Sequence, residues 1–157
     1  MKVRAVTAVV VFLLVLFCGC SKLNSEKTPV TSGFSSDVEI KINDLDYFGK
    51  LTYSNSNDFV IELTSPDIVS GLKIVFEAGQ PTVTYKGINC TNLYDFSAAS
   101  MISEALKELE VNGVFDAEEG IYDCGDFIIT VNDAGFITEI DVKDYNAKIF
   151  LSNHKLI

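Results

Sequence analysis

Few side chains in this 157-residue chain can do covalent or acid–base chemistry: Cys18, Cys20, Cys90 and Cys124, the single histidine His154, and the acids Asp116, Glu118, Glu119, Asp123 and Asp126. A nucleophilic site needs a base beside its nucleophile and a third group to orient that base. His154 stands near the carboxyl end with no such partners in sequence, and it reads as part of a frayed terminus. The acidic cluster offers hard oxygens of the kind calcium takes, but it lacks the alternating acid and glycine spacing of a calcium loop. It reads as a solvated linker face. Glu118 and Asp123 as a glycosidase pair would lack a sugar-stacking Trp, of which the chain has none. No Cys-x-x-Cys motif, metal-ligand spacing or phosphate-binding glycine loop occurs. The expectation is a non-enzymatic protein with no cofactor and no metal.

Cys20 is the exception, because of what precedes it. Lys2 and Arg4 form a short basic region, and Ala5 to Phe17, broken only by Thr7, form an apolar run of signal-peptide length. Ser21-Lys22 ends the run before the roughly 20 apolar residues a membrane span needs. Phe17-Cys18-Gly19-Cys20 resembles the lipobox of bacterial lipoproteins, in which a small residue precedes a cysteine that receives a diacylglyceryl thioether before cleavage in front of it. The resemblance implies a signal peptide over residues 1–19, lipidation of Cys20, and anchoring at the extracytoplasmic face of the cell membrane. Two acyl chains are what stable anchoring requires. Residues 20–33 are polar, carry Pro29 and Gly33, and show no apolar period, so they read as the lipidated cysteine and a flexible tether. Thirteen extended residues would reach about 40 Å.

Cleavage removes two of the 12 basic residues and none of the 22 acids, which leaves a net charge near −12. With no basic patch to neutralise phosphates, nucleic acid is excluded as a partner. Only Cys90 and Cys124 remain in the folded part. An exported compartment permits a disulfide between them. Two buried free thiols are the other arrangement, and sequence leaves the two open.

Residues 34–157 have the size of one domain. Their apolar residues alternate: Val38, Ile40 and Ile42; Leu51 and Tyr53; Phe59, Ile61 and Leu63, ended by Pro66; Leu72, Ile74 and Phe76; then Val83 and Tyr85. Strand patterns return from Gly120 to Leu151, with a hairpin signal at Asn132-Asp133-Ala134-Gly135. One segment is helical, with Met101, Ile102, Ala105, Leu106 and Leu109 on one face and Asn112-Gly113 as its stop. The fold class is α+β, mostly β: a strongly curved antiparallel meander, or half-barrel, of about nine strands with one covering helix.

Phe34-x-x-x-Val38, Tyr47 to Tyr53, Phe59 to Pro66, Gly71-Leu72, Gly79 and Val131 to Ile137 together resemble the LolA-like fold of outer-membrane lipoprotein carriers and their relatives. The match is closest to small members from Clostridia-like bacteria. The resemblance covers most of residues 34–157 and implies a sheet wrapped around a hydrophobic cavity that takes acyl chains. Two departures stand: the family's first helix is missing, and a chain pinned by Cys20 cannot shuttle. The candidate pocket residues are Phe59, Ile61, Leu72, Ile74 and Phe76 from the sheet and Met101, Ile102, Ala105 and Leu109 from the helix. The expected function is a stationary, membrane-anchored lipoprotein holding a lipid or acyl chain. The alternative is a surface lipoprotein with a filled core that acts as a protein-interaction or sensory module.

Overall fold

The computed structural model describes residues 26–91, 98–143 and 145–157, and of Cys90 and Thr91 only the backbone. The signal peptide, Cys20 and the first part of the tether lie outside the described residues. The strands are β1 (Phe34–Ile42), β2 (Leu45–Asn55), β3 (Asp58–Ser65), β4 (Lys73–Glu77), β5 (Gln80–Tyr85) and β6 (Ile88–Thr91). After the helix α1 (Ala98–Asn112) come β7 (Val114–Asp116), β8 (Ile121–Cys124), β9 (Phe127–Val131), β10 (Ile137–Val142) and β11 (Ala147–Leu156). A short 3-10 turn, Asp67–Val69, follows the proline that ends β3.

All eleven strands belong to one open antiparallel sheet, in the order β6-β5-β4-β3-β2-β1-β11-β10-β9-β8-β7. The expected meander is therefore two meanders, joined where the first strand pairs with the last. That join also accounts for the length of β11; the strand count is higher because of the short edge strands β6 and β7. Residues 152–155 are polar and show no apolar alternation, yet they run as strand because β1 offers them a hydrogen-bonding partner, from Ser35 against Lys155 to Ile42 against Ala147. His154 is thus a strand residue rather than part of a frayed end. The one unexpected strand, β7, holds only three residues and exists by pairing with β8.

Since β6 and β7 are the two edges, the helix between them must cross one face of the sheet. It contacts β8, β9 and β10. Ser103 on the same helix donates from its hydroxyl to the carbonyl of Ser56, in the β2–β3 turn, at 2.8 Å. In a flat sheet with strands about 4.8 Å apart, the β2–β3 turn and β9 would be separated by about 19 Å, more than a helix is wide. α1 thus reaches elements on both sides of the β1–β11 join, an arrangement consistent with a curved sheet.

The inward positions form one apolar core. Leu51, Tyr53, Ile61, Ile102, Ala105, Leu106, Ile129, Ile137, Ile140 and Ile149 have 0 % exposure. Gly49 lets two strands meet at the bend: a methyl there would strike the carbonyl of Glu62 on β3, where the register of β2 against β3 shifts. Ile102 joins the helix to this core. Replacing it (Ile102→Ala) should cost about 2–5 kcal/mol, read as a lower urea midpoint at unchanged slope.

Candidate functional site

The structure brings together the residues expected to line a pocket, and it brings them together as packing. Ile61, Ile102 and Ala105 have 0 % exposure, Phe59 3 %, Phe76 4 %, and Ile74 and Leu109 7 %. Leu72 and Met101 are half-buried against the same core. At the positions with 0 % exposure no water-sized space adjoins the side chain. A cavity of about 190 Å³ does lie where α1 meets the β4–β5 turn, but it is lined by Gly79, Gln80, Pro81, Ser100, Glu104 and Lys107 as well as Phe76 and Ser103. It is small and mostly polar, and none of the other candidates borders it.

Strand register turns the scattered aromatics into a row. Phe34 pairs with Tyr53, Tyr53 with Phe59, and Phe59 with Phe76. Their ring centroids stand 5.1, 5.6 and 4.8 Å apart in that order. Such pairs add to the energy of burial itself. On the far side of Phe34 the row continues into Phe136 and His154, whose rings stack at 4.8 Å. Sequence reasoning missed this role for His154. The signal was the pairing of β11 with β1, which no local pattern announces.

His154 has no nucleophile or orienting acid to serve. Neither ring nitrogen has a hydrogen-bond partner, and burial lowers the pKa below its ordinary 6.5. The Leu151 carbonyl, close but outside hydrogen-bond geometry, offsets this only in part. Tyr53, also without a partner on its hydroxyl, is pushed well up by burial, with the Glu110 charge adding to the effect.

Cys124 is a free, buried thiol. Burial raises its pKa from 9.0 to about 11, helped by Asp123, so it is protonated at neutral pH and a poor nucleophile. The side chain of Cys90 lies outside the described residues. The acidic cluster is divided by the fold. Asp116 accepts the backbone amides of Glu118 and Glu119 at one end of the sheet, while Asp123 takes the Gly125 amide and the Lys143 ammonium near the other. Among the described residues no group of acids, histidines or cysteines is arranged to hold a metal.

On the outer face, over the shift in register between β1 and β11, a polar cleft of about 550 Å³ is bordered by Ser35, Ser36, Asp37, Lys50, Leu51, Thr52, Asn153, His154 and Lys155. Asn153 donates to Asp37 across it at 2.7 Å. It contains no activated group.

The described part of the expected tether is docked. Tyr122 donates its hydroxyl to the Lys27 carbonyl, and Lys27 pairs with Asp133 at 2.8 Å. Val30 donates its amide to the Gly135 carbonyl at 2.8 Å, and its side chain packs on the core. Gly135, at φ +84°, leaves space that the Thr28 carbonyl fills. Were Cys20 the anchor, the stretch from it to Lys27 could span at most about 25 Å when extended, against the 40 Å expected for the whole tether. Among the described residues no helix is long and apolar enough to cross a membrane.

Comparison of the sequence with protein-family models and with curated proteins finds no match. Among solved structures, an uncharacterized conserved protein from Thermus thermophilus is similar at a TM-score of 0.45 and 10% identity, over 82% of this chain and 80% of that one.

The unfolded chain protonates a histidine near pH 6.5, before the folded one does, so the contribution of neutral His154 is complete above that pH and drains as pH falls below it. Thermal melts from pH 7.5 to 5 should show a steeper loss for the parent than for His154→Phe. Parallel curves would mean that His154 stays solvated.

Proposed function

We propose that this protein is a lipid-anchored, extracytoplasmic, non-enzymatic domain that acts through its surface, with a filled core and no internal ligand. The observation that carries the reading is the closure of the helix–sheet volume, where Ile61, Ile102 and Ala105 have 0 % exposure. An acyl chain could occupy that space only if α1 parted from the sheet and uncovered its own apolar face. That would give up the burial of several large side chains, each contributing about 1.5–3 kcal/mol.

Support for the anchor comes from the sequence: Lys2 and Arg4, the apolar run to Phe17, and Gly19 before Cys20. The short reach from Cys20 to the docked Lys27 suits a domain held close above a bilayer. Its net charge near −12 after cleavage suits one that does not lie flat on anionic head groups. A curled sheet around one helix also fits the half-barrel of the LolA-like lipoproteins that the sequence resembles. Within that comparison this chain is a stationary relative whose interior is occupied by its own side chains. For the absence of enzymatic activity the support is chemical. His154 is enclosed by Phe34 and Phe136, and the Cys124 thiol is held protonated by burial.

Two measurements check this. Native mass spectrometry of the mature chain from Ser21, exported by cells, should give the bare polypeptide mass; a stoichiometric lipid adduct would restore the acyl-chain reading. In the full chain, Cys20→Ala should abolish diacylglyceryl labelling and release the protein from the membrane fraction, and retention of the variant would refute the anchor.

A further inference from the structure

The antiparallel topology sorts the connections to two ends. The chain comes in at Lys27 to Gly33 beside the β2–β3, β4–β5, β7–β8 and β9–β10 turns. The β1–β2, β3–β4, β5–β6, β8–β9 and β10–β11 connections, with the last turn of α1, gather at the opposite end. Nine large apolar side chains stand exposed among the described residues, and six are at that opposite end: Leu45 at 59 %, Ile68 at 79 %, Ile88 at 67 %, Val111 at 77 %, Val114 at 68 % and Tyr145 at 63 %. Phe48, on β2, and the C-terminal Leu156 and Ile157 make up the rest. At the chain-entry end the turns hold Ser56-Asn57, Ala78-Gly79, Ala117 to Gly120 and Asn132 to Gly135, which are the small and polar residues that turns ordinarily use. The contrast is one of position. Single exposed apolar residues need no explanation, whereas six gathered at one end, against Leu156 and Ile157 at the other, mark a candidate contact surface.

We propose that this end docks a protein partner whose contact surface is apolar at its centre and basic at its rim. The proposal names the partner class for the surface-acting reading above and rests on it. Charge selects that occupant. Asp44, Asp46, Asp67, Glu110 and Asp126 are exposed around the apolar set. Of the lysines there, Lys143 is engaged by Asp123 and the Gly125 carbonyl, Lys86 lies over the Tyr85 ring, and Lys73, exposed at the start of β4, stands opposite Glu62 in register. A second copy would bring the same acids against these, and an anionic bilayer would repel them. Reach disfavours the bilayer as well. Lys27 is at the other end of a sheet whose β2 has 11 residues, about 35 Å at 3.2–3.4 Å per residue. The stretch from Cys20 to Lys27 extends about 25 Å. An anchor at Cys20 would therefore hold the chain-entry end nearer the membrane than the apolar end.

The probe is a synthetic amphipathic peptide of leucine and lysine, titrated into the isotope-labelled mature chain from Ser21 and followed by amide NMR. Shift changes should concentrate at residues 43–46, 67–69, 86–89, 111–114 and 145–146. Affinity should fall at least tenfold in Ile68→Ser/Val114→Ser, which alters no charge and, being exposed, should leave the melting temperature unchanged. Changes spread over all acidic surfaces, or an unaltered affinity in the variant, would overturn the proposal. So would concentration-dependent self-association through this end, or flotation of the lipid-free chain with phosphatidylglycerol vesicles. Because the variant leaves the core untouched, failure here is separate from the discovery of a bound lipid, which would overturn the filled-core reading instead.

Discussion

The pairing of β1 with β11 is the constraint on which the rest of the structure depends. It joins the N-terminal and C-terminal meanders into a single sheet and leaves β6 and β7 as the two edges. Those edges are connected in sequence through α1, so the helix has to cross one face. A face crossed by a short helix stays covered only if the sheet curls towards it. Helix placement and the closed core thus follow from one long-range pairing, in which Phe34 lies opposite Leu156. The cost is kinetic in kind, because contacts this distant in sequence must form before the local ones are fully rewarded.

The interior that results is dominated by side chains packed to exclusion of solvent, with an aromatic row from Phe76 through Phe34 to His154 along one end. It tolerates some unpaired polarity. The Ser36 hydroxyl, the Tyr53 hydroxyl and both His154 nitrogens are buried without partners. Each such group costs about 1–3 kcal/mol, offset by the aromatic contacts that Tyr53 and His154 make. The acids are arranged differently: Asp116, Asp123 and Asp133 are taken up in turns and surface ion pairs. Exposed pairs of this type contribute little to stability. They set local geometry.

Much of the architecture is legible in the sequence because the physics behind it is local. Alternation along Val38–Ile42, Phe59–Leu63 and Phe127–Val131 reports a half-buried strand wherever it occurs. The 3.6-residue spacing of Ile102, Ala105, Leu106 and Leu109 likewise reports one helical face. For that reason the candidate pocket residues do gather on one surface, as their periods require. Whether that surface encloses a void or is filled cannot be read locally, since it depends on volumes contributed by elements far apart in sequence. Residues 152–155 and 26–33 escape a local reading for a related reason. Their sequences carry no apolar period, and they are ordered by partners supplied elsewhere: β1 in one case, the β9–β10 turn and Tyr122 in the other.

The sequence by itself determined the acidic balance, the strand-rich composition and the position of the helix, and Arg4, the apolar run and Gly19-Cys20 are the whole basis of the proposed address. These depend on neighbours within a few residues of one another or on counting. Tertiary structure alone decided that the meander is double, that His154 belongs to an aromatic row, that the chain is docked from Lys27 onward, and that six exposed apolar side chains share one end of the sheet. Each of these depends on strand order and register, and hydrogen bonds between strands distant in sequence leave no periodic trace in either strand.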